Sequence, residues 1–541
     1  MSQNILKLFI EKGFLLDQEM FNFLNELGNE EIANEIIDKI ASISKKKLIT
    51  KTLVNENLEK IKPILFELNN EKKKLVEKFF VNISILVEVK KESIIDSKGI
   101  LENKPLIKIL SSPVLASQKL EVKDFVKHFR NRFLFIKSLL QQKPELENLI
   151  SIDKIIGNSR NFSIIGIVTS KNLTKNKNVI LEVEDLTDRT KLLITQNKPE
   201  IYEKTKEILL DDVIGFKCSG TKDFLYVNDF FYPDSFLTEK HKTENEIYSL
   251  FISDIHIGSK NFLETSFQNF INWLNGENCT EPQKQLLKKI KYIFVVGDTI
   301  DGVGVYPGQE KDLAIKDITQ QYEKLADFYK QIPQHISIIH CAGQHDAVRV
   351  AEPQPPIGTD FGYALHQIPN LFLVSNPSLI EIESQNEKSG IKILMYHGAS
   401  MHPIMGEIEE LRLINGHHYP AKVVKHLLLR RHLAPSHGDM TYIPHAIDDP
   451  LLIKEVPDII TTADLHRTDI DNYHGIIIIC NSCWQSITAF EEKVGNIPDP
   501  CKVPILNLKT REIKILDFTE PEGLEDNKEI NCQQGKEVKN A

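Results

Sequence analysis

Six short apolar runs lie in the second half of the chain, and loops and helical patterns separate them. The runs are Tyr248 to Ile252, Tyr292 to Val296, Ile336 to Cys341, Ile391 to Met395, Ile459 to Thr462 and Gly475 to Cys480. Runs that are apolar at almost every position are typical of strands buried on both faces. We therefore predict an α/β sandwich over residues 246–518.

The preceding segment, residues 151–245, has a different pattern. Short β-rich runs at 164–168, 179–183, 191–194 and 213–216 alternate with turn-rich stretches, and a helix-like piece lies near 199–207. This pattern predicts an OB-type β-barrel. The runs are aliphatic and the aromatic residues cluster at 224–232, so we expect a structural or partner-docking barrel and not one that stacks bases.

The first 150 residues give weaker signals. Residues 1–45 have helical periodicity, which predicts a small helical unit, although Gln3, Leu6, Phe9 and Ile10 also fit the spacing of a sliding-clamp-binding peptide. Residues 46–150 are Lys-rich and predict a linker with a connecting helix from about Val122 to Leu140. Residues 519–541 are acidic and poor in apolar side chains, which predicts a disordered tail.

Charge and composition limit the possible partners. The chain has 541 residues and a net charge of −10, so it would hold DNA poorly by itself. Any nucleic-acid contact must then be local, metal-mediated or shared with a partner. We find no apolar run of 18 residues and no signal peptide, and the seven cysteines are scattered, so we expect a cytoplasmic protein without a membrane segment.

Polar groups follow five of the six predicted strands. In chain order they are Asp254 and His256, then Asp298, then Gln344, His345 and Asp346, then His397, then Asp464 and His466. Alternation in an extended chain would place Asp254 and His256 on the same side. Because ligands bind at the carboxyl ends of strands in α/β sheets, these groups predict one site for divalent ions.

The order of these groups resembles that of calcineurin-like metallophosphoesterases. It is more similar still to the small subunits of archaeal family D DNA polymerases. The supporting stretches are residues 252–260, the Gly-Asp-Thr-Ile-Asp-Gly-Val-Gly-Val-Tyr-Pro-Gly-Gln segment at 297–309, and the short motifs at 433–435 and 449–451. The resemblance covers roughly residues 155–518, and an OB barrel before the phosphoesterase domain agrees with it.

The resemblance implies a site for two divalent ions. Its ligand sets are Asp254, His256 and His466 for the first metal, Asp298 as the bridge, and Gln344, His397 and Asp464 for the second. Mn²⁺ suits this mixture of carboxylate, imidazole and amide best, and Mg²⁺, Zn²⁺ and iron stay open. The family has Asn at position 344 and Gly-His at positions 463–464, so both departures fall on the second metal.

The resemblance also implies an activity and a partner. The activity is 3′–5′ exonuclease hydrolysis at DNA 3′ ends, which proofreads for a separate large polymerising subunit. In this comparison His345 is the general acid or phosphate contact and Asp346 orients it. Arg349 would contact a DNA phosphate or form a surface ion pair. The alternative function is a catalytically weakened or silent scaffold of the polymerase.

Overall fold

The computed structural model describes residues 106–115, 119–157, 159–384, 389–445 and 448–520, together with the pairs 15–16 and 48–49. The chain divides into two units, residues 1–100 and 101–541. In the first unit the strands β1 (Leu15–Leu16) and β2 (Leu48–Ile49) pair in parallel. The rest of the predicted helical unit, its clamp-binding alternative and nearly all of the predicted tail lie outside the described residues.

The second unit contains the barrel and the sandwich. Its elements in chain order are β3 Ile107–Ser111, α1 Val122–Leu140, β4 Ser159–Leu173, β5 Val179–Glu184, β6 Arg189–Ile194, α2 Pro199–Lys204, β7 Val213–Thr221, β8 Phe224–Phe231, β9 Tyr248–Ile252, α3 Glu264–Leu274, α4 Glu281–Leu287, β10 Ile290–Val296, α5 Ile318–Gln331, β11 Ser337–Cys341, α6 Thr359–His366, β12 Leu371–Val374, β13 Ser378–Ile382, β14 Ile391–Met395, α7 Met401–Glu407, α8 Glu409–Leu413, α9 Pro420–Arg430, β15 Ile459–Thr462, β16 Asp469–Tyr473, β17 Ile476–Cys480, α10 Ala489–Val494, β18 Lys502–Asn507 and β19 Ile513–Asp517. Single 3-10 turns lie at Ile152–Lys154, Thr205–Glu207, Gln309–Lys311 and Gly416–His418.

Two six-stranded sheets form the sandwich. Their strand orders are β12-β11-β10-β9-β18-β19 and β16-β17-β15-β14-β13-β3. Strands β9 to β12 are parallel, and so are β14, β15 and β17. The six strands predicted from the apolar runs are β9, β10, β11, β14, β15 and β17, and each prediction agrees with the structure to within two residues at either end.

Alternate residues of the central strands enter different apolar layers. Leu250 and Ile252 of β9 pack with the helices outside the first sheet, whereas Phe251 lies between the two sheets. There Phe251 stacks on Phe294 of β10 with ring centroids 5.3 Å apart. Helices α7 and α9 cover the outer face of the second sheet. This double burial explains why the strands are apolar at nearly every position.

The predicted linker contains a strand of the sandwich. Helix α1 occupies the predicted span, but β3 pairs antiparallel with β13 at the edge of the second sheet. Ile107 and Ile109 pack against the apolar layer between the sheets. The linker prediction is therefore wrong for residues 107–111. A five-residue edge strand in a Lys-rich region gave too short an apolar signal to be recognised.

Strands β4 to β8 close a barrel in the order β4-β5-β6-β8-β7. Strands β6 and β8 pair in parallel, the other pairs are antiparallel, and α2 lies between β6 and β7 in the chain. The segment 224–232, interpreted from the sequence as an aromatic cluster after the strands, supplies β8. Phe216 and Phe230 point into the barrel core, while Tyr226 is 52% exposed.

Buried ion pairs attach the barrel and α1 to the sandwich. Arg430, the last residue of α9, donates from Nε to Asp212 Oδ1 of the barrel at 2.8 Å. Arg132 of α1 donates from Nε to Asp449 Oδ2 at 2.8 Å, and His432 Nε2 lies 2.8 Å from the same oxygen. Removing one partner of such a pair leaves a buried charge uncompensated at a cost of about 3–5 kcal/mol. These contacts hold the barrel and the sandwich in one arrangement.

Candidate metal centre

The carboxyl ends of five strands from both sheets meet at one edge of the sandwich. Strands β9, β10 and β11 come from the first sheet, and β14 and β15 come from the second. The loops after β9 and β10 run side by side, because the Asp254 amide donates to Gly297 O at 3.0 Å and the His256 amide donates to Asp298 O at 3.1 Å. The predicted convergence of strand-end groups therefore forms from two sheets and not from one.

The first group of metal-ligating atoms joins Asp254, His256 and His466. One ligand atom from each lies within 4.8 Å of the others. His256 Nε2 is 3.2 Å from His466 Nε2, which in turn is 3.5 Å from Asp254 Oδ1. Two imidazole nitrogens and a carboxylate oxygen aimed at one point form a set suited to a divalent cation.

The second group joins Asp254, Asp298 and His397, again with ligand atoms within 4.8 Å. His397 Nε2 lies 3.1 Å from Asp298 Oδ2 and 3.8 Å from Asp464 Oδ1. Gln344 Nε2 donates to the same Asp464 oxygen at 3.0 Å. Asp254 is the member that the two groups share. The bridging role that the resemblance gives to Asp298 stays a prediction.

Several of these side chains stand on left-handed backbone. The positive φ angles are 47° at Asp254, 54° at His256, 49° at Asp298, 70° at Asp464 and 54° at His466. Extended alternation therefore does not place Asp254 beside His256, and that part of the prediction is wrong. Asp and His tolerate this conformation better than most residues, but each instance still costs about 1–3 kcal/mol. The chain turns sharply after β9, β10 and β15 and folds these side chains back over the strand ends.

Two glycines leave room for Asp298 and His397. A Cβ at Gly343 would stand 2.2 Å from Asp298 Oδ1, and a Cβ at Gly297 would stand 2.6 Å from His397 Nδ1. The Asp298 carboxylate also accepts the His345 amide at 2.7 Å. Any side chain at either position would push the carboxylate or the imidazole away from the site.

Imidazoles offset the cost of burying Asp298. Burial opposes its ionisation, but His397, His345 and His256 together outweigh that effect and hold the pKa of Asp298 well below its usual range. Burial likewise opposes protonation of His397, and the Asp298 carboxylate raises the pKa of His397 above its usual value. The charges of Asp298 and His397 therefore stabilise each other at the centre of the site.

Residues that the sequence analysis missed support the ligands. His256 Nδ1 lies 3.2 Å from Asp301 Oδ1, and His466 Nδ1 lies 2.8 Å from Glu491 Oε1. The Gln309 amide in turn donates to Asp301 Oδ2 at 3.0 Å. Each contact fixes the ring so that Nε2 points into the site. Asp301 was visible in the 297–309 segment, whereas Glu491 lies on the short helix α10, which carries no strand-end signal.

The resemblance implied that Asp346 orients His345, but in the structure the two side chains have other partners. His345 Nδ1 lies 2.8 Å from the Asp301 carbonyl oxygen. The Asp346 carboxylate accepts the Gly343 amide at 2.9 Å and the Thr299 hydroxyl at 2.8 Å. Burial, then the nearby Asp298 carboxylate, raises the pKa of Asp346. Asp346 therefore ties the loops after β10 and β11 together behind the site.

Arg349 binds backbone carbonyl oxygens and forms no ion pair with a described residue, and its contact with a DNA phosphate stays a prediction. Its Nε and Nη2 donate to the Pro353 carbonyl oxygen at 3.1 and 2.7 Å, and its Nη1 donates to the Leu115 carbonyl oxygen at 2.7 Å. Arg349 thus ties the segment after β3 to the loop after β11. These contacts give no support to a phosphate-binding role.

The donor set fits divalent cations. Several buried carboxylate and imidazole atoms of the described residues have no hydrogen-bond partner, and three of them lie at this site, namely Asp254 Oδ1, His397 Nε2 and Asp464 Oδ2. Buried polar atoms are rarely left unpaired without a functional reason. Carboxylate and imidazole donors of this kind bind Mn²⁺, Zn²⁺ and iron.

Among the described helices, none is long and apolar enough to cross a membrane.

A profile of the DNA polymerase alpha/epsilon B-subunit family matches residues 250–470, which hold every predicted ligand. Over these residues the chain is similar to B-type subunits of DNA polymerases. The chain is also similar to the DNA polymerase II small subunits of several archaea. That of Archaeoglobus fulgidus is 32% identical over 93% of this chain and 95% of its own length. That of Methanothermobacter thermautotrophicus is 35% identical over 74% of this chain and 80% of its own length. The chain belongs to the family of archaeal DNA polymerase II small subunits, the small subunits of family D polymerases.

The resemblance found in the sequence is thereby confirmed. The DNA polymerase II small subunit of Pyrococcus furiosus is 35% identical over 74% of this chain, and the match spans 64% of that relative's length. Solved structures with weaker likeness include an archaeal phosphodiesterase, 12% identical over 50% of this chain and 99% of that chain, with a TM-score of 0.24. Vps29 from Entamoeba histolytica with zinc is 13% identical over 50% of this chain and 90% of that chain, with a TM-score of 0.23. Scores this low support no conclusion about this chain.

We expect Gly343→Ala to weaken Mn²⁺ binding by roughly tenfold or more, because its methyl group would displace the Asp298 carboxylate. Isothermal titration with Mn²⁺ measures the effect. Gly406→Ala on α7 is the matched control, since a Cβ there meets nothing within 4 Å. Equal Mn²⁺ affinity in the two variants would contradict the close packing around Asp298.

Proposed function

We propose that this chain is a metal-dependent 3′–5′ exonuclease subunit that removes nucleotides from DNA 3′ ends. The observation that carries the proposal is the pair of ligand groups joined through Asp254. Two adjacent cation positions are the arrangement used to hydrolyse phosphodiester bonds. Polymerases extend 3′ ends, so a nuclease that belongs to a polymerase has its substrate at the same end. We also propose a metallophosphoesterase fold for residues 246–518.

The residues of this chain divide the work of hydrolysis. When bound, the two cations would activate a water and neutralise the phosphate oxygens. A carbonyl oxygen can only accept, so His345 Nδ1 carries the hydrogen that faces Asp301 O. When Nε2 of the same ring also carries a proton, it can give that proton to the leaving 3′-oxygen, and the ring keeps the hydrogen on Nδ1. Asp301 serves both histidines, because its carboxylate holds His256 and its carbonyl holds His345.

One contact favours a catalytically silent scaffold as the second candidate function. Gln344 and Asp464, the two departures from the family pattern, bond to each other at 3.0 Å. That hydrogen bond occupies the Asp464 oxygen that faces His397 and competes with a cation for it. Against this alternative, Asp254, His256, Asp298, His397 and His466 keep their positions around the site, and a scaffold has no use for their buried charge.

We propose that the barrel is of the OB type and docks a large polymerising subunit. Two features support the type: the parallel β6–β8 pair closes the barrel, and α2 separates the third strand from the fourth. The acidic chain needs a partner that brings basic side chains to the DNA. The OB-type and docking roles are proposals that rest on topology and charge.

We expect Asp298→Ala to abolish nuclease activity on single-stranded DNA while the protein stays folded, because the centre of the ligand set is lost. Activity is measured by gel analysis of a 3′-mismatched oligonucleotide in Mn²⁺, and folding is measured by circular dichroism. The matched control is Asp327→Ala on α5, whose side chain is 70% exposed. Unchanged hydrolysis by Asp298→Ala would show that this site is not the nuclease centre.

We expect His345→Ala to slow hydrolysis by roughly 10²–10⁴-fold, the range for loss of a general acid. Bound Mn²⁺ should stay the same, because His345 is not one of the proposed ligands. A substrate whose leaving group needs no proton, such as bis(p-nitrophenyl) phosphate, should be hydrolysed at close to the wild-type rate. Loss of metal in His345→Ala would show that the residue is a ligand.

We expect the chain to form a stable complex with the large polymerase subunit of the same genome, and deletion of residues 1–100 should preserve it. The second unit, from residue 101, holds the whole barrel and sandwich. A cut at residue 150 is unsuitable, because it removes β3 and α1. Size-exclusion chromatography with light scattering after co-expression measures assembly. Dissociation of the shortened chain would place the docking surface in residues 1–100.

A further inference from the structure

His402 lies beside the weakest part of the proposed ligand set. Its Nε2 is 3.4 Å from Asp464 Oδ2, and its side chain is 42% exposed, whereas that of Asp464 is 12% exposed. Among the described residues, no hydrogen bond satisfies Asp464 Oδ2, although the atom is buried. The other oxygen, Oδ1, faces His397 and Gln344. The two oxygens of this carboxylate therefore face different surroundings.

The backbone fixes both partners of this contact. Asp464 has a φ of 70°, and a Cβ added at Gly398 would lie 3.3 Å from the Asp464 Cβ, so the backbone of the loop after β14 passes close to this side chain. His402 stands in the first turn of α7, where the Met401 amide donates to Gly398 O at 2.8 Å. The ring of His417 lies behind it with centroids 5.3 Å apart. The imidazole is thus aimed at Asp464 from the solvent side.

We propose that His402 is a positioning residue that makes Asp464 a ligand of the second cation, an inference that rests on the proposed function. The Nε2–H of His402 donates to Asp464 Oδ2, and a small rotation of this exposed side chain closes the remaining few tenths of an ångström. With Oδ2 held, Oδ1 stays on the side of His397, where it would bind a cation in place of the Gln344 amide. Contacts to a ligand's second oxygen raise metal affinity by about 10–100-fold.

The test uses the full-length chain and Mn²⁺ alone, measured by isothermal titration and by electron paramagnetic resonance. Wild type should bind two ions and give the multiline spectrum of a spin-coupled Mn²⁺ pair. His402→Ala should weaken one site by about 10–100-fold and leave the other within about threefold. The coupled spectrum should then be replaced by that of single Mn²⁺ ions at the same metal concentration.

Two further variants make the test specific. His402→Gln keeps an N–H donor of similar reach and should restore much of the Mn²⁺ affinity of the second site. His335→Ala is the matched control, because His335 is exposed on the loop before β11, at the opposite end of that strand from the site. Nuclease activity of His402→Ala should fall at low Mn²⁺ and recover at high Mn²⁺, since the chemistry of His345 is untouched.

The outcomes separate this inference from the proposed function. Two unchanged Mn²⁺ affinities in His402→Ala, with an active wild type, would overturn the role of His402 alone. Equal weakening of both sites would also overturn it, because His402 would then support the site in general. A wild-type chain that binds fewer than two ions would overturn both the inference and the two-metal function.

Discussion

The buried negative charge at the ends of β9 and β10 is the constraint on which the site depends. Asp254 is fully buried and Asp298 is 3% exposed, and isolated carboxylates at such depth are unstable. Imidazoles from both sheets compensate this charge, and His397 lies beside Asp298. The two glycines that leave room for Asp298 and His397 and the left-handed turns after the strands both follow from this requirement. A stable fold accepts such strain only where surrounding packing enforces it.

The support for the ligands extends through several layers of hydrogen bonds. Asp301 and Glu491 each hold the far nitrogen of a ligand histidine, and Gln309 holds Asp301. Asp346 joins the loops on the other side. This explains why the 297–309 segment carried so specific a signal in the sequence: it supplies one central ligand together with the support of another. The second sheet contributes His397 and Asp464, so the site also depends on how the two sheets pack.

The strands and the polar groups at their ends could be predicted because they leave local signals. Runs apolar at every position mark doubly buried strands, and polar groups directly after them mark their ends. The orientation of Asp254 and His256 could not be predicted, since left-handed backbone depends on contacts with the loop after β10. Strand β3 escaped because five residues at a sheet edge have little apolar pattern. Glu491 and His402 escaped because their partners, His466 and Asp464, are distant in the sequence.

The central claim is that this small subunit holds two divalent cations between its sheets. Crystals of the chain grown in Mn²⁺ and measured at the manganese absorption edge test it most directly. We expect two anomalous peaks about 3.5–4 Å apart. One should lie among Asp254, His256 and His466, and the other among Asp298, His397 and Asp464. A single peak, or none at these residues, would contradict a two-metal nuclease and favour the silent scaffold.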